Sequence, residues 1–99
     1  MSENQNYLVL IRPPRSDFEE NMTPEETKVI EEHFSYLQSL LKAKKLILAG
    51  PCIDGAFGII VLNVKSYKEA EELINNDPSV RAKIMTPEIH PFRISLLKT

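Results

Sequence analysis

The chain is poor in cysteine and glycine, and it has no run of like charge and no long apolar stretch. Cys52 stands alone, so no internal disulfide can form, and the reading that follows is a reducing, cytoplasmic setting. Gly50, Gly55 and Gly58 do not have the spacing of a phosphate-cradling loop. Lysines and arginines are mixed with acids and the net charge is −2, which argues against nucleic acid as a partner. No apolar run approaches the ~20 residues of a membrane helix. The opening MSENQN lacks the apolar core of a signal peptide, so no membrane partner is expected. What is present is an ordinary globular composition, 42% hydrophobic and 26% charged, which predicts one domain over residues 1–99.

Strand-like segments, rich in aliphatic and β-branched residues, span 6–13, 45–50, 57–64 and 90–97. Two helices are predicted between them. Thr23, Pro24 and Glu26 form a capping-box start for a helix over 24–43. Ser66 and Glu69 repeat the box for a helix over 67–76, which Pro78 ends. Asp54-Gly55 before an apolar run signals a hairpin. The order βαββαβ predicts an α+β, ferredoxin-like sandwich: a four-stranded antiparallel sheet, order 4-1-3-2, with two helices on one face.

The strands carry apolar residues on both sides. Tyr7, Val9 and Ile11 alternate with Leu8 and Leu10, and Ile59 and Val61 alternate with Ile60, Leu62 and Val64. Two helices cover only one face of a sheet. The other face needs its own cover, and the simplest is a second copy of the chain. Val9, Ile11 and Ile59, or their alternate-face neighbours, are therefore expected at a homodimer interface.

The first helix holds the chemical question. In VIEEHFSYLQSLL, residues 29–41, the apolar stripe is interrupted by His33, which lies between Ile30 and Leu37 at about 100° per residue. A histidine there is either a packed side chain satisfied by one partner or a base lining a cleft. Asp77, at the end of the second helix, would fall near it if the helices run antiparallel. Such a carboxylate would fix one ring nitrogen and leave the other for proton transfer. Tyr36, three residues on, either donates to a substrate oxygen or packs. Arg12 and Arg15 flank the Pro-Pro loop, where they grip a substrate carboxylate or stay solvated. His90 would complete a two-histidine, one-carboxylate set, but no ligand spacing supports a metal and none is expected. Cys52 lacks an activating base and reads as inert.

MTPEE, EEHFSYLQSLL, LILAGP, DGAFGIIVL, EAEELINNDPSV and IHPFRI together resemble the YciI-like (YCII-related) family in order and spacing. The resemblance implies a dimeric α+β barrel, with His33 and Asp77 as a His–Asp active-site pair. It implies cofactor-free lyase or isomerase chemistry on a small aromatic or lactone-like metabolite. The alternative is a non-catalytic, small-ligand-binding dimer in sensing or stress response. The family pattern also places glycines where this chain has Lys44 and Lys83. A glycine after a helix supplies a left-handed turn, which a lysine adopts only at some cost.

Overall fold

The structure, a computed structural model, describes residues 4–99. Its strands are β1 (Gln5–Arg12), β2 (Leu46–Pro51), β3 (Gly58–Val64) and β4 (Thr86–Phe92). Its helices are α1 (Pro24–Lys42), α2 (Tyr67–Asn75) and a short α3 (Pro78–Arg81). The four strands form one sheet in the order β2-β3-β1-β4, every pair antiparallel. The fold is the expected α+β, ferredoxin-like sandwich.

Local sequence explains where the helices start. The Glu26 N–H donates to Thr23 Oγ1 at 3.1 Å, and the Thr23 N–H donates to Glu26 Oε1 at 2.9 Å, which completes the α1 capping box. The α2 start differs from the expected box. Ser66 Oγ accepts from the Glu69 N–H, but Glu69 turns back to the Lys65 N–H instead and takes Lys45 Nζ at 2.9 Å on its other oxygen. A cation within reach of the second oxygen favours that placement.

The helices cover the sheet face that carries Tyr7, Val9, Ile11, Ile60, Leu62 and Val64. Leu37 and Leu40 of α1 and Ala70 and Ile74 of α2 complete this core. Val9 and Ile11 are thus buried within a single chain, and they drop out of the residues expected at a dimer interface. The opposite face presents their neighbours. Leu8 pairs with Val61, Leu10 with Ile59 and Leu48 with Val61, which makes an apolar patch no helix covers. Leu48 joins it because a bulge between Leu46 and Leu48 reverses the alternation of β2.

The last strand lies earlier than the expected 90–97. It runs Thr86–Phe92, pairs with β1 from Arg12↔Thr86 to Asn6↔Phe92, and leaves residues 93–99 without regular structure. Pro87 and Pro91 obscured it. They are four residues apart, so both missing donors fall on one side of an edge strand, where no ladder bond is lost.

Both helix ends that lack a glycine still close in left-handed turns. Lys44 has φ 63° and Lys83 has φ 60°. The Lys45 N–H reaches the Leu40 carbonyl at 2.9 Å and the Lys44 N–H reaches the Leu41 carbonyl at 3.0 Å. The Ile84 and Lys83 N–H groups repeat the pattern on Ser79 and Val80, at 3.0 and 2.9 Å. These are Schellman closures made by lysines. A side chain costs ~1–2 kcal/mol in this conformation, while glycine gives back ~0.5–1 kcal/mol through the unfolded chain. Lys44→Gly and Lys83→Gly are each expected to raise stability by roughly 0.5–1 kcal/mol, read by denaturant unfolding. A loss of stability in both would show that the turns are unstrained.

Candidate functional site

His33 stands on the side of α1 that faces both the core and a cavity. Leu37 and Leu40 are buried, whereas Phe34 is 62% exposed. The stripe from Ile30 to Leu41 borders an open cavity of about 900 Å³. Ile30, His33, Phe34 and Leu37 form one wall, strand residues Ile11, Leu46 and Ile60 form the floor, and Phe18, Met22 and Met85 close the sides. The cavity is in the size range of small-molecule sites and is mostly apolar, as they are.

Asp77 is fully buried and organises the polar end of this cavity. Pro78 forces Asp77 out of helical geometry, to φ −64° and ψ 127°, which makes it the N-cap of α3. α3 packs on α1, and that contact delivers the carboxylate to the imidazole. His33 Nδ1 lies 2.7 Å from Asp77 Oδ2 and 2.9 Å from Oδ1. Ser79 donates twice to Oδ1, from its N–H at 2.8 Å and from Oγ at 2.9 Å. The Ser79 Oγ lies 3.3 Å from Nδ1.

These contacts assign the ring protons. An ionised carboxylate only accepts, and Ser79 spends its hydroxyl proton on Asp77, so every neighbour of Nδ1 is an acceptor. Nδ1 therefore carries the proton, and in the neutral ring Nε2 keeps its lone pair. No group among the described residues bonds Nε2. Because no buried polar side-chain atom among them lacks a partner, Nε2 must reach open space. His33 is also one of the side chains that line the cavity.

The structure brings His33 and Asp77 together, but it sets the other candidates apart. Tyr36 does not line the cavity. Its hydroxyl donates to the Leu73 carbonyl at 2.7 Å and ties α1 to α2. Burial, aided by the Asp77 charge, pushes its phenol up from the ordinary value. Arg12 donates to Glu88 at 2.7 Å. Arg15 holds Glu26 with two bonds of 2.7 and 3.0 Å, takes Asn21 with two more, and sits over the Phe18 ring. It pins the loop that forms one side of the cavity to the start of α1. His90 bonds Glu88 in the β4 row that pairs with Leu8 and Leu10, on the face opposite the core. Cys52 lines the cavity's hairpin side. Among the described residues no group of three or more potential ligands gathers to hold a metal, and no helix is long and apolar enough to cross a membrane.

Ser79 is the site residue that sequence reasoning missed. The signal was there: Asp-Pro-Ser is an N-cap followed by proline at the first helical position, so the next residue's N–H points at the Asp carboxylate.

A family model of the YCII-related domain matches residues 6–93. The chain belongs to the YCII-related domain family. No curated protein matches it. Among solved structures it is similar to 5-chloro-2-hydroxyhydroquinone dehydrochlorinase from Burkholderia phenoliruptrix AC1100, in complex with 2,5-dihydroxybenzoquinone, at 17% identity and a TM-score of 0.68. The match covers 89% of this chain and 93% of that one, and it shows a shared fold.

The loop pin of this YCII-related chain makes a pH test. The Arg15 guanidinium, with the Thr23 N–H, holds the Glu26 carboxyl at about 2, against ~4.3 when unperturbed. A depressed folded value means that the stabilisation is full above the unfolded value and is lost as pH falls through about 2. The Glu26 carboxyl ¹³C resonance should titrate near that value and move back towards the unperturbed one in Arg15→Ala. A wild-type midpoint near the unperturbed value would show that the pin is absent in solution.

Proposed function

We propose that this chain is a small-molecule enzyme that moves a proton with His33 and needs no cofactor. One observation carries the reading. His33 lines an apolar cavity with its Nε2 unbonded among the described residues, while a buried carboxylate holds Nδ1. In this reading Nε2 takes a proton from an acidic C–H or O–H of the bound molecule. Asp77 stabilises the imidazolium that forms, and the same nitrogen returns the proton to a different atom or to a leaving group. The apolar wall keeps water away and strengthens both contacts. The chemistry fits a lyase or isomerase acting on a small aromatic or lactone-like metabolite, and the shared fold with a dehydrochlorinase is consistent with that class.

The test is isomerisation of a β,γ-unsaturated butenolide to its conjugated isomer, together with deuterium exchange at the acidic carbons of hydroquinone-type rings. His33→Leu should lower stability, because it takes a donor away from the fully buried Asp77 carboxylate and leaves that charge short of a partner. It should abolish turnover. Asp77→Asn should cut turnover by about 10²-fold or more, the usual reach of general acid–base catalysis, with binding retained. Binding without turnover in the wild type would favour the alternative, a non-catalytic ligand-binding dimer.

The reading includes a homodimer. Leu8, Leu10, Leu48, Ile59 and Val61 form an apolar sheet face that a second copy would cover. Light scattering should give twice the 11.3 kDa chain mass, and a charged residue at Leu10 should dissociate or aggregate it. A chain-mass particle at micromolar concentration would contradict this.

A further inference from the structure

The His33 cavity has a sign. Among the described residues its wall carries no lysine and no arginine. Its charged members are Asp17, Glu19, Glu20 and Asp54, all at exposed positions around the apolar interior. Arg12 and Arg15, the nearby cations in sequence, border a separate cleft of about 270 Å³ and are held by Glu88 and by Glu26.

We infer that the cavity accepts uncharged apolar ring compounds and rejects carboxylates and phosphates, with Glu19 and Glu20 at its rim adding to the rejection. This rests on the reading of the cavity as the ligand site and narrows what that site takes.

Desolvation decides the matter. An anion entering an apolar cavity gives up its hydration, a cost of several kcal/mol that only a close cation or several donors repay. On this wall the one group able to become positive is His33, and its charge is already matched by Asp77 at 2.7 Å. A neutral ring with a weakly acidic C–H or O–H meets no such penalty. It can present that hydrogen to Nε2 while its carbon surface rests on Ile30, Phe34, Leu37 and Ile60. The rim acts in the same direction but more weakly. Asp17 is offset by Asn21 and, at 3.9 Å, by Arg15. Asp54 accepts the Ala56 N–H. Glu19 and Glu20 make no ion pair among the described residues, so they contribute most of the repulsion, screened by salt over about 10 Å.

The test uses two molecules of one shape, naphthamide and naphthoate, titrated into the full chain by calorimetry with the His33 ring resonances as a site reporter. Naphthamide should bind and shift His33, and naphthoate should bind at least about tenfold more weakly, a difference of one decade in Kd. Glu19→Gln with Glu20→Gln should narrow that gap a few-fold at low salt and leave naphthamide unchanged. Naphthoate binding as tightly as naphthamide, with His33 shifted by both, would overturn the charge selection while the cavity stands as the ligand site. A gap unchanged in the double variant would remove the rim's part in it. Failure of both molecules to bind would overturn the cavity reading and the selection together.

Discussion

The buried carboxylate of Asp77 is the constraint on which the site depends. It is sealed from solvent, and its charge is held by the His33 ring and by two donors from Ser79. Buried charges persist only when they are hydrogen-bonded on all sides. Remove any one donor and the cost falls on a carboxylate that has nowhere to find water. The same group starts α3, so the turn that delivers it and the bond it makes to His33 are one structural event. The site is thus built into the packing of α3 on α1, where a regular element positions it more rigidly than a loop would.

The rest of the fold prepares space opposite that carboxylate. One side of α1 is cavity wall from Ile30 to Leu41, Leu37 and Leu40 also reach the core, and His33 stands on that wall beside Asp77. The loop carrying Phe18 and Met22 supplies a side of the cavity and is kept in place by Arg15 bonded to Glu26. Tyr36 has a comparable structural task, joining α1 to α2 through the Leu73 carbonyl. Arg15 and Tyr36 thus brace the fold, and the proposed chemistry rests on a small polar cluster beside an apolar cavity.

Much of this was legible because it is local or periodic. The Thr23–Glu26 box, the alternating strands and the two helices depend on neighbours a few residues apart. The approach of Asp77 to His33 was within reach because the strand order makes the helices antiparallel and because EAEELINNDPSV and EEHFSYLQSLL carry the family resemblance. What was not legible involves distant partners or competing local rules. Arg12 finds Glu88 across two strands. Pro87 and Pro91 argue against a strand unless it is known to lie at an edge. The lysines at positions 44 and 83 read as a change of loop, yet the backbone keeps the left-handed turn at a local cost, because the closing bonds and the strands that follow require it. Ser79 was hidden for a simpler reason: its role appears only when Asp77 is seen as a cap as well as a partner.

The central claim is that Asp77 holds the proton on Nδ1 and leaves Nε2 bare towards the cavity. Long-range ¹H–¹⁵N correlation of the neutral His33 ring measures this directly. The account predicts a protonated Nδ1 and an unprotonated Nε2, with the preference lost in Asp77→Asn. A wild-type ring protonated on Nε2, or a mixture of tautomers indifferent to the Asp77 substitution, would contradict it.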